Sequence, residues 1–315
     1  MSEGGLAALL LADTVALNAG VVMAVGALAS VVWLLRGGRS PWALGMAAPL
    51  RTALQAALVF TALASLGALW LQAAAMAETP LSQALPAVAT VLGQSHYGRA
   101  WLTGAVGLAL AFTAACLPLR LPTARRDALA GRAGLGIAIF ACSRSLVGHA
   151  AAHGDMTWAV AVDTLHLLLA ALWTGAVFMS AWVFPVACSA ADRTDRARWV
   201  KALSSTATLA LAGVVLTGTF NAWRGAGGSV GRLAGTPYGT VLWIKLGLVG
   251  AAVLLGSANR FFVMPRLLEA LRSPSLAVEP PLLRFVRILR VESVVLLVVL
   301  AAAAVLAASP PPGDA

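Results

Sequence analysis

Three of the four histidines stand in one stretch, His149-Ala150-Ala151-Ala152-His153-Gly154-Asp155-Met156, followed by Asp163-Thr164-Leu165-His166. The sequence on both sides is apolar enough for a membrane. An ionisable group inside hydrocarbon costs several kcal/mol unless it has a partner or a function. Imidazole, carboxylate and thioether are also transition-metal ligands: imidazole suits both Cu+ and Cu2+, and the thioether of Met156 suits Cu+. His149 and His153 are four apart, so one helical turn would aim both at one ion, with Gly154 ending the turn. Asp155 and Met156 would then lie in the loop before the next helix. Asp163 and His166 are three apart and share a helix face, where the carboxylate can hold one ring nitrogen and leave the other for a ligand. His96, in a separate loop, is placed to join from outside. A solvated histidine pair satisfies the His149/His153 spacing equally well, and a solvated loop histidine satisfies His96.

The elements that must position these groups follow from composition. Of 315 residues, 60% are hydrophobic and 11% charged, against about a quarter charged in a soluble domain. Continuous apolar runs, without the alternation of a membrane barrel, predict an all-α polytopic transmembrane helical bundle. Eight segments are long enough to cross: 10–35, 52–77, 99–119, 129–148, 157–185, 202–222, 238–260 and 291–308. The fourth is interrupted by Gly131, Gly134, Gly136 and Arg144. Residues 1–308 read as a single transmembrane domain and 309–315, opening Ser309-Pro310-Pro311-Pro312, as a disordered tail. The N-terminus lacks the basic region of a signal peptide, so the first run is expected to be retained as a span.

The net charge of +10 is almost all arginine. Arginines crowd the loops after the first, third, fifth and seventh segments, which places both termini outside by the positive-inside rule. That pattern makes the charge a topological signal, not a nucleic-acid surface. Cys116, Cys142 and Cys188 are isolated and suggest neither a disulfide framework nor a thiolate site.

With that topology, Asp13, Arg144, Asp163, His166 and Lys245 all fall in the outer half of the membrane, at about 1.5 Å per residue. Asp163 and Asp13 are expected to face Arg144 and Lys245 across a polar chamber, as buried polar support for the site or as structural ion pairs holding helices in register. Glu292, beside Arg287 and Arg290, reads as an interfacial pair. Met179, Met23 and the tryptophans read as packing or interface anchors. No phosphate-binding loop, phosphorylated-aspartate motif or hydrolase constellation is present, so no catalytic residue and no enzymatic activity is expected.

Several runs resemble the copper resistance protein D (CopD) family: Gly218-Thr219-Phe220-Asn221-Ala222-Trp223; Thr236-Pro237-Tyr238-Gly239 through Lys245-Leu246; Ala258-Asn259-Arg260; Pro265-Arg266-Leu267; and Arg290-Val291-Glu292. The stretch from His149 through Trp173 and Gly175 is similar to the family's central helices. The resemblance covers about 140–308 closely and the first four spans by topology. It implies a bacterial inner-membrane protein of copper uptake or tolerance, working beside a small periplasmic copper-binding protein of the CopC type. The leading expectation is a permease that takes copper ion from the periplasmic side. The alternatives are a haem-binding or redox membrane protein, and a non-transporting copper sensor or scaffold.

Overall fold

A computed structural model describes residues 3–36, 40–117, 123–187 and 191–312. Every regular element among them is helical, as hydrocarbon demands of a backbone that must satisfy its own hydrogen bonds. The helices are α1 (Glu3–Arg36), α2 (Pro41–Met76), α3 (Leu85–Gln94), α4 (His96–Cys116), α5 (Thr123–Leu146), α6 (Trp158–Phe178), α7 (Arg193–Gly225), α8 (Pro237–Ala258), α9 (Met264–Arg272) and α10 (Glu279–Ala307). Hydroxyl and carboxylate caps set several starts: Ser40 for α2, Ser95 for α4, Thr157 for α6, Asp192 for α7 and Thr236 for α8. Each accepts from a backbone N–H of the first turn that has no partner inside the helix.

Seven helical stretches among the described residues are long and apolar enough to cross a membrane. The fourth expected segment differs. It is α5, a helix of 24 residues carrying Arg125, Arg126, Asp127, Arg132 and Arg144, too polar to qualify by composition. It nonetheless packs along α4 and returns the chain to the end where α4 begins. The chain is therefore a multi-pass helical membrane protein in which one long helix, α5, is more polar than the rest. The helices also outrun the apolar segments: α2, α7 and α10 start well before 52, 202 and 291. Their extra turns carry arginines, among them Arg51, Arg193, Arg196, Arg198, Arg284 and Arg287.

At the centre, α1 packs on α2 and α6, and α6 also packs on α5 and α7; α4–α5 flank one side and α8–α10 the other. Glycines let backbones touch. A Cβ on Gly26 would stand 2.5 Å from the Gly175 carbonyl oxygen, and one on Gly136 would stand 2.5 Å from that of Gly107. These small-residue contacts join α1 to α6 and α4 to α5, where apolar packing has no water to drive it.

Two helices continue through a π turn, Met179–Val183 after α6 and Asn259–Val263 before α9. Each precedes a proline, Pro185 and Pro265, which cannot donate to the carbonyl four residues back. Arg290 Nε donates to one such carbonyl, Ala181, at 3.3 Å. Of the expected tail, 309–312 are described and Pro311 is buried, while 313–315 lie outside the described residues, as do Arg39, Arg120 and Cys188.

Candidate functional site

His166 lies on α6, half-buried against α7. Its Nδ1 stands 2.9 Å from Thr217 Oγ1, and that hydroxyl lies 2.6 Å from the Gly213 carbonyl oxygen. A carbonyl can only accept, so the single hydroxyl proton goes to Gly213. Toward the imidazole, Thr217 therefore accepts, Nδ1 carries the ring proton, and Nε2 keeps its lone pair. That is the tautomer a metal ligand needs.

Asp163, one turn earlier on the same face, does not hold His166. Its Oδ2 accepts from Ser145 Oγ at 2.8 Å and its Oδ1 accepts from Asn221 Nδ2 at 2.9 Å. The two helices are matched turn for turn: Asp163 and His166 on α6 face Asn221 and Thr217, four apart on α7. Because the carboxylate takes the amide N–H, Asn221 Oδ1 points away from it, buried and without a hydrogen-bond donor. Gly218 leaves room for the ring, since a Cβ there would stand 3.1 Å from His166 Cε1.

The expected facing of acids and bases takes a different form. Lys245 on α8 lies within electrostatic reach of Asp163 and His166, and Arg144 within reach of Asp13. Among the described residues neither couple closes to an ion pair within 4 Å. Neutral donors hold Asp163 instead, an arrangement that satisfies a carboxylate without burying a second charge.

The loop above the site also differs from its reading. His149 opens a short 3-10 turn, His149–Ala151, not an α-helical turn, so the four-residue spacing does not align His149 with His153. His149 is half-buried and His153 exposed. Gly154 does end the turn, at φ +115°. Arg224, from the end of α7, donates to the His149 carbonyl at 2.9 Å and ties this loop to the helix that carries Thr217 and Asn221. Asp155 pairs with His96 Nε2 at 2.9 Å, both about half exposed. Met156 is fully exposed. Among the described residues no three His, Cys, Asp or Glu side chains converge on a single ion position.

Glu292 contradicts its interfacial reading outright. It is 3% exposed, inside the bundle, with the Trp173 indole directed at it. Arg290 is occupied elsewhere, over the Trp182 ring at 5.1 Å and at the Ala181 carbonyl. Helical phase explains the error: two residues of separation put Arg290 and Glu292 on different faces. Met179 is buried in the core and Met23 packs beside it.

With this geometry in place, comparison with known proteins is decisive. A family model described as copper resistance protein D-like, N-terminal domain, matches residues 5–159, and one described as copper resistance protein D matches 197–306. The chain belongs to the copper resistance protein D family. It is 27% identical over 262 residues to a copper resistance protein D of Pseudomonas syringae pv. tomato, an alignment covering 80% of this chain and 82% of that protein. No solved structure matches it. The matched regions flank the site: Asn221, Thr217 and Arg224 fall within one and Ser145, His149 and His153 within the other, while Asp163 and His166 on α6 lie between the two. Sequence reading quoted Asn221 only as part of a family motif, and it missed Thr217 and Ser145. Hydroxyls in apolar helices bond their own backbone too often to carry a signal alone.

Proposed function

We propose that the protein is a copper permease of the bacterial inner membrane, with both termini and the histidine loop on the periplasmic side. The single observation that carries this reading is His166, a ring with Nδ1 committed to Thr217 and Nε2 left as a ligand, one turn from a carboxylate. Copper in either oxidation state is the cargo. It would be met at the exposed His153 and Met156, pass His149, and reach His166, with Asp163 and the free Asn221 oxygen beside it. A small periplasmic copper protein of the CopC type would deliver it there.

The scarcity of converging ligands agrees with transport. A pathway must bind an ion strongly enough to admit it and weakly enough to release it. A closed site of three or four ligands would retain copper. The protein moves an ion and makes or breaks no bond, so it is not an enzyme on this reading, and its positive charge serves topology and not nucleic acid.

The test is cellular copper accumulation in a strain carrying His166→Ala at normal membrane abundance. Uptake reduced toward that of a strain lacking the protein is expected. Wild-type uptake in the variant would sink the assignment.

A further inference from the structure

A second polar site lies at the opposite, arginine-rich end. A cavity of about 600 Å3, counting its open mouth, lies between α6, α7, α8 and α10. Most of its wall is apolar, including Trp173, Val177, Leu203 and Leu289. Its rim is polar: Arg260 is exposed there and its Nη1 donates to the Ser204 carbonyl, the Ser204 hydroxyl and the Thr208 hydroxyl. Deeper in the same cavity are Glu292 and Asn259, 3% and 4% exposed.

The two deep groups are both short of donors. Asn259 Nδ2 donates to the Phe285 carbonyl at 3.3 Å, which turns Oδ1 the other way, where it is buried without a hydrogen bond. No basic side chain among the described residues lies within 4 Å of the Glu292 carboxyl. Trp173 supplies one N–H toward it. Gly256 supplies space, since a Cβ there would stand 3.1 Å from Oε1. Arg260 is the one other ionisable group lining the cavity, and its hydrogen bonds to α7 hold it at the rim. Residues lining the cavity from α6 and α7 are apolar or hydroxylic. A buried carboxyl and an unpartnered amide oxygen lining one cavity, with a single N–H directed at the carboxyl, can be satisfied by a cation.

We propose that Glu292 and Asn259 form a cation-exchange site whose cation is the proton, taken up and released through this cavity from the arginine-rich side. An intramembrane carboxyl on a cavity is the usual carrier of a proton through a helical bundle. A π turn begins at Asn259, and this residue and the next, Arg260, both line the cavity. As the place where copper movement is coupled to protons, the site rests on the permease reading. As a proton site it stands apart from it.

The experiment treats the purified full-length protein, in detergent, with dicyclohexylcarbodiimide. This apolar reagent adds to protonated carboxyl groups: the carboxyl oxygen bonds the central carbon, the acid proton moves to nitrogen, and the adduct rearranges to a stable acylurea. Peptide mass spectrometry locates it. An adduct on Glu292 is expected, absent in Glu292→Gln, and falling about tenfold per pH unit above its midpoint. No adduct at Glu292 at any pH, or one indifferent to pH, overturns the proposal. Protection by sodium at constant pH would overturn the choice of the proton. In proteoliposomes, an imposed pH gradient should change wild-type copper uptake several-fold and leave Glu292→Gln indifferent, with Glu292→Asp partly restored. A wild type that moves copper regardless of the gradient overturns the coupling. A wild type that moves no copper overturns the permease reading, while the adduct still decides the proton site.

Discussion

Thr217 Oγ1 accepts from Nδ1 of His166 at 2.9 Å while donating to its own helix at Gly213, so a threonine on α7 decides which nitrogen of a histidine on α6 remains free. A hydroxyl hydrogen-bonded to the far nitrogen of a ligand histidine fixes ring orientation and tautomer, and losing one typically lowers metal affinity about 10–100-fold.

Thr217→Val keeps the shape and removes the acceptor. Copper affinity of the purified protein, or uptake at limiting copper, should fall by about 10–100-fold. Thr217→Ser should restore most of it. Equal affinities for the wild type and the valine variant would show that the ring is oriented by something else.

Asp163 receives two donors, so Asp163→Asn presents an amide N–H to at least one of them. Thermal unfolding in detergent should show a loss of about 1.5–3 kcal/mol, the range for hydrogen bonds to a charged group. The exchange Asp163→Asn with Asn221→Asp re-creates a complementary pair and should recover part of the loss. A double variant no better than the single would refute the direct pairing.

Gly26 and Gly175 bring α1 and α6 into backbone contact. Gly175→Val should destabilise the bundle by at least the 1–3 kcal/mol typical of overpacking, because backbone cannot move aside as a side chain can. Gly4→Val, where a Cβ meets open space, is the control and should leave the melting temperature unchanged.

Glu78 ends α2 with φ 51°, a left-handed conformation that glycine adopts freely. Glu78→Gly should therefore raise stability by up to about 1 kcal/mol, read as a higher melting temperature. An unchanged or lower value would mean that the Glu78 side chain contributes more than its backbone costs.

His153 and Met156 are exposed and hold no part of the fold. Replacing both with alanine should leave the melting temperature unchanged and slow copper uptake only when copper is scarce, as loss of capture does. The His96–Asp155 pair, exposed to solvent, is worth at most about 1 kcal/mol. His96→Ala is expected to be nearly neutral for stability.

Sequence alone determined the class of the molecule and seven of the eight long apolar segments it named. Apolar length and arginine placement are local properties, written directly into composition. It also marked Asp163 and His166 as neighbours, since three residues of helix always share a face. What only the tertiary structure decided is which partner each polar group meets. Ser145, Thr217 and Asn221 come from other helices, and a hydroxyl in an apolar run looks the same whether it bonds its own backbone or a neighbour. Glu292 makes the point from the other side: adjacent arginines suggested a pair, while helical phase turned it inward and Arg290 toward Trp182. That α5 packs along α4 was likewise invisible to hydropathy, since its charges lower the helix's average while its apolar face meets α4. Local pattern determines where a charge lies along a helix. The packing of helices against one another determines what that charge faces.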